Sequence, residues 1–135
     1  TSVDEAVINT SEVDGALDFL NKLYTKYSLY LNSNTPQASL NKITNARGLN
    51  KYFKIMHGSP PNSKLHNFKK LLDNIKFRPD EILVIGDGIS DYKCANTFKT
   101  NFVGLKTSLN NWSDHENFLT VDNLQDVWKT TLLEA

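Results

Sequence analysis

The stretch from Ile82 to Asp91 reads ILVIGDGISD, and it decides the fold class of this chain. Its first four residues are all apolar, and the run is too short for an ordinary helix. A short, wholly apolar run of this kind is typical of a parallel strand that is buried on both faces. The glycines and aspartates from Gly86 onward end the strand, and the sequence predicts a helix from about Ser90 to Phe98.

Strands and helices alternate on either side of this stretch. Apolar runs predict strands at residues 29–31, 54–57 and 102–105 and a short edge strand at 118–121, and apolar periodicity predicts helices over 11–27, 36–48 and 65–75 and a last helix capped by Asp122. Such alternation predicts an α/β fold, a three-layer open parallel sheet with helices on both faces in a Rossmann-like arrangement. In these sheets the ligand lies beyond the carboxyl ends of the strands.

The bulk composition limits the classes of function. The 135 residues fit a single domain over 1–135, and the 15 basic and 15 acidic residues cancel. No global field therefore attracts nucleic acid or an anionic membrane, and we expect neither as a partner. Cys94 is the only cysteine, so there is no internal disulfide, and no apolar run is long enough to span a bilayer. We expect a cytoplasmic location.

The strand end at Gly86 carries two carboxylates. Asp87 and Asp91 are four residues apart, and a helix that begins near Ile89 would turn Asp91 back toward Asp87. Paired carboxylates at a strand end suit Mg²⁺, which takes one or two carboxylates and keeps several waters. The alternative is that Asp87 is a turn residue and that Asp91 is a first-turn charge favoured by the helix dipole.

Two further strand ends carry groups that suit an anion. Ser33 lies between a predicted strand and a helix opened by Pro36, where a hydroxyl and free amides would converge on a phosphate. Lys64 opens the next helix, a position that disfavours a cation unless an anion is bound there. The alternatives are a serine that caps or turns the chain and a solvated lysine.

The three clusters, in this order and at these strand ends, resemble the motifs of haloacid-dehalogenase-like hydrolases of the phosphatase type. The second motif would be Ser33 followed by Asn34, the third Lys64, and the fourth a Gly-Asp pair at Asp87 with Asp91. The resemblance implies that Ser33 and Lys64 are catalytic and that Ser33, Asn34 and Lys64 bind phosphate. It also implies that Asp87 and Asp91 hold Mg²⁺ and that the substrate is a small phosphorylated metabolite.

The chain departs from the family at the first motif, an Asp-x-Asp after the first strand in which the first Asp attacks phosphorus. Asp4, Asp14 and Asp18 do not follow an apolar strand. The resemblance therefore implies a partial core without its first strand, its nucleophile and its cap domain, in which residues 1–11 form a linker from cap to core. We expect this chain alone to have no significant phosphatase activity.

A missing first strand would open the middle of the sheet, because in the family it lies between the strands that end at Ser33 and at Gly86. Unpaired backbone groups at two buried edges are costly. Three resolutions remain open: the two strands pair directly, the segment Ala6–Asn9 fills the gap, or another chain or a cleaved N-terminal piece supplies the strand. The third predicts a dimer or a two-piece complex.

Two other functions remain open. A non-catalytic module of the same fold would bind phosphate and Mg²⁺, or a partner, without turnover. An unrelated α/β binding domain, such as a receiver-like signalling domain, would carry an acidic pair near its first strand end, and that pair is absent.

Overall fold

A computed structural model describes residues 5–9, 17–59, 62–76, 78–107, 112, 118–123 and 126–127. Strands and helices alternate along these residues, as the sequence predicts. The strands are β1 (Glu5–Asn9), β2 (Ser28–Asn32), β3 (Ile55–His57), β4 (Ile82–Gly86), β5 (Asn101–Leu105) and β6 (Leu119–Val121). The helices are α1 (Leu17–Leu23), α2 (Gln37–Ala46), α3 (Lys64–Asn74) and α4 (Ile89–Phe98). The predicted last helix after Asp122 and the predicted start of the first helix lie largely outside the described residues.

The six strands form one parallel sheet in the order β3-β2-β1-β4-β5-β6. Every residue of β4 is buried, which confirms the interpretation of the apolar run at its start. Side chains of α1 and α2 pack on one face of the sheet, and those of α3 and α4 pack on the other. The predicted fold class, a parallel sheet with helices on both faces, is therefore confirmed.

The prediction of a missing first strand is wrong, because β1 lies in the centre of the sheet. It pairs in parallel with β2 on one side and with β4 on the other. Ala6, Val7 and Ile8 have no solvent exposure, so the segment satisfies both inner edges and buries its apolar side chains on both faces. The linker assignment of residues 1–11 is wrong for residues 5–9, and the sheet needs no second chain to close it.

The entry of β1 into the sheet brings a buried acid with it. Glu5 is 4% exposed, and the Tyr30 hydroxyl on β2 donates a hydrogen bond of 2.7 Å to its Oε1. Burial first, and then the Glu5 carboxylate, raise the pKa of Tyr30 above its usual value. A carboxylate at this depth is tolerable because it has a donor.

The far edge of the sheet is closed by aromatic packing. Trp112 is buried, its ring packs against Phe102 and Phe118, and its Nε1 donates to the Leu105 carbonyl. The indole also passes over Gly104, where any Cβ would lie 2.9 Å from Trp112 Cε2. None of the described helices has the length and hydropathy needed to cross a membrane.

Candidate functional site

The carboxyl ends of the central strands bring the predicted clusters to one edge of the sheet. β2 ends at Asn32 and β4 ends at Gly86, and β1 lies between them. Ser33 and Asp87 therefore follow strand ends on either side of β1, about 10 Å apart at the usual spacing of neighbouring strands. This is the position at which open parallel sheets bind ligands.

A buried ion pair joins the second and third clusters. Lys64 Nζ, at the start of α3, lies 2.9 Å from Oδ1 of Asp91, in the first turn of α4. The other carboxylate oxygen of Asp91 accepts a 3.1 Å hydrogen bond from the Gly88 backbone N–H. The side chain of Lys64 is 14% exposed and that of Asp91 is 2% exposed, so the charges meet below the surface.

Gly86 makes room for this pair. A Cβ at Gly86 would overlap the Cβ of Asp91 and lie 2.7 Å from its Oδ2. The carboxylate of Asp91 therefore lies directly over the end of β4, and the glycine is required by that close approach rather than by its backbone conformation.

Several effects act on the pKa of Asp91. Burial is the largest and raises it above its ordinary value, and the charge of Asp87 raises it further. The Lys64 ammonium and the Gly88 amide oppose this rise. The negative charge of Asp87 thus acts on the pKa of Asp91, as expected for two carboxylates at the same edge of the sheet.

Asn32 is a site residue that the sequence reasoning missed. It has no solvent exposure, and its Nδ2 donates a 3.2 Å hydrogen bond to the carbonyl of Lys64. Its Oδ1 has no hydrogen-bond partner among the described residues. Asn32 therefore ties the first turn of α3 to the end of β2 and leaves a buried acceptor, Oδ1, without a partner among the described residues. The available signal was an amide directly before Ser33, at the end of an apolar strand.

The first cluster forms a tight turn at the end of β2. Ser33 is 1% exposed; its backbone N–H donates to the His57 carbonyl at 2.9 Å, and its Oγ accepts from the Thr35 N–H at 3.0 Å. Because Oγ accepts that bond, the hydroxyl proton can still be donated to a ligand. Asn34 is exposed beside it. The roles predicted for Ser33 and Asn34 stay predictions.

The described residues fit Mg²⁺ only in part. They contain no group of three or more His, Cys, Asp or Glu side chains that could hold a metal ion. Oδ2 of Asp91 accepts the Gly88 N–H, whereas Oδ1 lies 2.9 Å from the Lys64 ammonium but has no hydrogen-bond partner among the described residues, and the metal-binding role of Asp91 stays a prediction. Mg²⁺ commonly binds through one carboxylate together with phosphate oxygens and water. Asp87, partly exposed at the mouth of the site, fits that role.

The central strand carries no Asp-x-Asp. β1 ends at Asn9, whose Cα is the register partner of Gly86, and the sequence continues with Thr10, Ser11 and Glu12. Asn9, an amide residue, therefore lies at the end of the central strand, beside the point where β4 ends and Asp87 follows.

A parallel α/β sheet with a Ser turn, a buried Lys–Asp pair and a second Asp at its carboxyl edge defines an open α/β fold of the kind that binds ligands beyond its strand ends. The chain is a member of the haloacid dehalogenase-like hydrolase family, whose sequence model matches residues 2–105. No curated protein matches the chain.

Solved structures show the same fold. The HAD-hydrolase YfnB from Bacillus subtilis, described as bound to magnesium, superposes with a TM-score of 0.73 at 21% identity and covers 86% of this chain and 54% of its own. A haloacid dehalogenase-like family hydrolase from Streptococcus pneumoniae gives 0.71 at 16%, covering 86% and 58%. The core domain of a protein assigned as a phosphoglycolate phosphatase from Streptococcus pneumoniae TIGR4 gives 0.73 at 16%, covering 96% and 95%. This chain thus spans a little over half of the first two proteins and nearly all of the isolated core domain.

Proposed function

We propose that this chain binds a small phosphorylated metabolite together with Mg²⁺ at the edge formed by Ser33, Lys64 and Asp87, and that it does not hydrolyse the ligand by itself. The observation that carries this proposal is the buried Lys64–Asp91 pair, because it holds an ammonium group at the ends of the central strands. Membership of a hydrolase family with phosphatase structures among its relatives supports a phosphate ester as the ligand.

The charges at the site support a requirement for a cation. Lys64 is paired with Asp91, and the Asp87 carboxylate follows the neighbouring strand end, so a phosphate dianion at this edge would be repelled by Asp87. A divalent cation held by Asp87 and by phosphate oxygens would offset that repulsion. When bound, Mg²⁺ would supply charge neutralisation of the phosphoryl oxygens. The Ser33 hydroxyl would donate to a phosphoryl oxygen, and Lys64 would contribute the remaining positive charge.

The absence of turnover follows from the end of β1. A covalent route needs a carboxylate that attacks phosphorus. Asn9 has a carboxamide in place of a carboxylate, and the next carboxylate along the chain is that of Glu12, three residues beyond the end of β1. Binding and electrostatic stabilisation remain, while the end of β1 lacks the carboxylate that would form the bond to phosphorus. The activity thus proposed for this chain is that of a phosphate-binding module of the hydrolase fold.

Titration calorimetry with inorganic phosphate, with and without Mg²⁺, tests the binding. We expect measurable binding with Mg²⁺ and at least tenfold weaker binding in EDTA, because the cation offsets the repulsion between Asp87 and the phosphate. Asp87→Asn should remove the Mg²⁺ effect, whereas Asp80→Asn, which removes the same charge from a surface residue, should not. No binding in either condition would overturn the proposal.

Hydrolysis of p-nitrophenyl phosphate by the purified chain tests the second half. We expect no Mg²⁺-dependent turnover above background. Robust turnover that Asp87→Asn abolishes would show that another residue of the chain attacks phosphorus, and the non-hydrolytic assignment would then be wrong.

A further inference from the structure

Positive charge is concentrated in one part of the chain. Of the 15 basic residues, nine lie within residues 19–72 and six lie elsewhere, whereas all 15 acidic residues lie outside residues 19–72. The zero net charge, which argues against a nucleic-acid partner for the chain as a whole, conceals this separation. Residues 19–72 supply β2, β3, α2 and most of α1 and α3, which lie toward the β3 edge of the sheet. That side of the molecule therefore has a positive field.

At the amino ends of β2 and β3, part of this charge lies beside an accessible aromatic ring. The Lys51 ammonium lies over the Tyr52 ring, 5.1 Å from its centroid, and the Tyr24 ring packs against Tyr52 edge to face, with 5.0 Å between the centroids. The Tyr52 hydroxyl donates a 2.8 Å hydrogen bond to Asn21 Oδ1, which ties this turn to α1. Tyr24 still exposes 44% of its surface, so a cation and an open tyrosine ring are neighbours.

Further cations surround this ring. Lys54 is exposed three residues after Lys51, and its backbone N–H donates to the Leu29 carbonyl at 2.8 Å, near the start of β2. Lys26 and Arg47 are exposed where the chain leaves α1 and α2, at the same edge of the sheet. Among the described residues no carboxylate lies within 4 Å of the Lys51 or Lys54 ammonium. The basic surface, as we call it, consists of Tyr24, Lys26, Arg47, Lys51 and Lys54.

Helix dipoles account for only part of the basic surface. Cations near helix C-termini are favourable, which is sufficient reason for Lys26 and Arg47. The dipoles do not account for Lys51 and Lys54, which lie outside the α-helices, or for the lack of any acid in residues 19–72. Lys22 is not counted, because Asp18 precedes it by one helical turn.

The combination of cations with an open ring indicates the chemistry of the partner. An acidic protein or an anionic membrane would be attracted by the lysines alone. Single-stranded nucleic acid uses both features, because its phosphates attract cations and its bases stack on aromatic side chains. We propose that the basic surface binds single-stranded nucleic acid, with its cations on successive phosphates and the Tyr24 ring against one base.

This surface is separate from the candidate phosphate site. The basic surface lies at the amino ends of the strands and Ser33 lies at their carboxyl ends, about 15 Å away along the length of β2. Binding of nucleic acid at the amino ends needs neither Asp87 nor Mg²⁺. The two proposals can therefore succeed or fail independently.

Fluorescence anisotropy of a labelled oligothymidylate, titrated with the intact chain in EDTA, measures this binding. Three or four phosphate contacts predict that raising the salt concentration from 50 to 200 mM weakens it about twenty- to fiftyfold. An oligoglutamate of equal charge, and vesicles that contain phosphatidylserine, should compete far less well than unlabelled oligothymidylate. Equal competition by either one would assign the surface to acidic proteins or to membranes and overturn the proposal.

Matched variants locate the binding. Lys51→Gln and Lys54→Gln should each lower the slope of log Kd against log salt by about 0.7, the value for one lost phosphate contact. Lys93→Gln, which removes an exposed lysine from α4, should leave the slope unchanged. Tyr24→Leu should weaken binding about fivefold and Tyr24→Phe should retain it, because stacking needs a flat ring.

Three results would overturn the inference, once circular dichroism has shown that each variant keeps the fold. The first is no salt-dependent binding of the oligonucleotide by the wild-type chain. The second is a slope that both Lys51→Gln and Lys54→Gln leave unchanged. The third is equal affinity of the Tyr24→Leu and Tyr24→Phe variants, which would remove the reason for preferring nucleic acid to another polyanion.

Discussion

The close approach of Asp91 to Gly86 predicts that adding one methyl group at the end of β4 disrupts the site. In Gly86→Ala the new Cβ would overlap the Cβ of Asp91, in a strand that is buried throughout. Non-bonded carbon atoms prefer a separation of about 3.5–4.0 Å, so Asp91 must move by more than a soft side chain could absorb. That movement takes its carboxylate away from the Lys64 ammonium, now 2.9 Å distant, and from the Gly88 amide.

The expected loss has two parts. Overpacking of a tight interior costs about 1–3 kcal/mol, and a displaced hydrogen bond to a charged group costs about 1.5–3 kcal/mol. Together they predict that the free energy of unfolding falls by about 3–5 kcal/mol. For a domain of this length each kcal/mol lowers Tm by about 3–4 °C, so Tm should fall by about 9–20 °C.

Urea and thermal unfolding, followed by circular dichroism, measure this loss, and Gly88→Ala is the matched control. A Cβ at Gly88 lies 3.6 Å from Asp91 Oδ2, an ordinary contact, and we expect that variant to stay within about 1 kcal/mol of the wild type. If both variants unfold with the same free energy as the wild type, Asp91 does not lie over Gly86 and the site geometry is wrong.

Three further predictions address charge. Lys64→Met should cost about 3 kcal/mol at pH 7, because it leaves the Asp91 carboxylate buried without its cation. Burial raises the pKa of Asp91 in the folded state, so its protonated form stabilises the fold below the ordinary pKa, and that stability is lost as pH rises through the folded pKa. The loss of unfolding free energy in Lys64→Met, measured in urea, should therefore be smaller at pH 4 than at pH 7. Equal losses at the two pH values would contradict the assignment. Asn9→Asp should tighten Mg²⁺ binding about tenfold in calorimetry, because it adds a carboxylate level with the end of β4, and unchanged affinity would place that strand end outside the site. Tyr30→Phe should cost about 2 kcal/mol in urea unfolding because it leaves the Glu5 carboxylate buried without its donor, and a loss below about 0.5 kcal/mol would contradict that pairing.

The sheet and its ligand-binding edge could be predicted because the determining signals are local. β4 is apolar throughout, and polar clusters directly follow strand ends, so the alternation of elements fixes which residues share an edge. The gathering of Ser33, Lys64 and Asp87 at one edge follows from that alternation together with the order of the motifs, while their roles stay predictions. No contact between distant segments had to be known in advance.

The position of β1 could not be predicted in the same way. Ala6, Val7 and Ile8 are only three apolar residues, flanked by Glu5 and Asn9, and such a short run has no distinctive period. Their placement is decided by two buried strand edges that need backbone partners, which is a tertiary effect. The sequence reasoning identified the need for a strand and left three candidates to meet it.

The partners of Asp91 were also beyond local reasoning. Its spacing from Asp87 predicted a metal ligand, while the structure pairs its carboxylate with Lys64 from a helix 27 residues earlier in the chain. That ion pair depends on the packing of α3 and α4 over the ends of β2 and β4, which local spacing does not reveal, and the metal-binding role of Asp91 stays a prediction. Asn32 was missed for the same reason, since its contact with the Lys64 carbonyl exists only once α3 crosses β2.

The central strand separates what the fold requires from what phosphoryl transfer requires. The sheet needs a segment that pairs on both edges and buries apolar side chains, and β1 meets both needs with Ala6, Val7 and Ile8. Phosphoryl transfer by the covalent route needs one particular carboxylate at the end of that strand, and Asn9 lacks it. Folding places no demand on the identity of that terminal residue, so the hydrolase architecture and the Lys64–Asp91 pair are compatible with the proposed loss of hydrolysis.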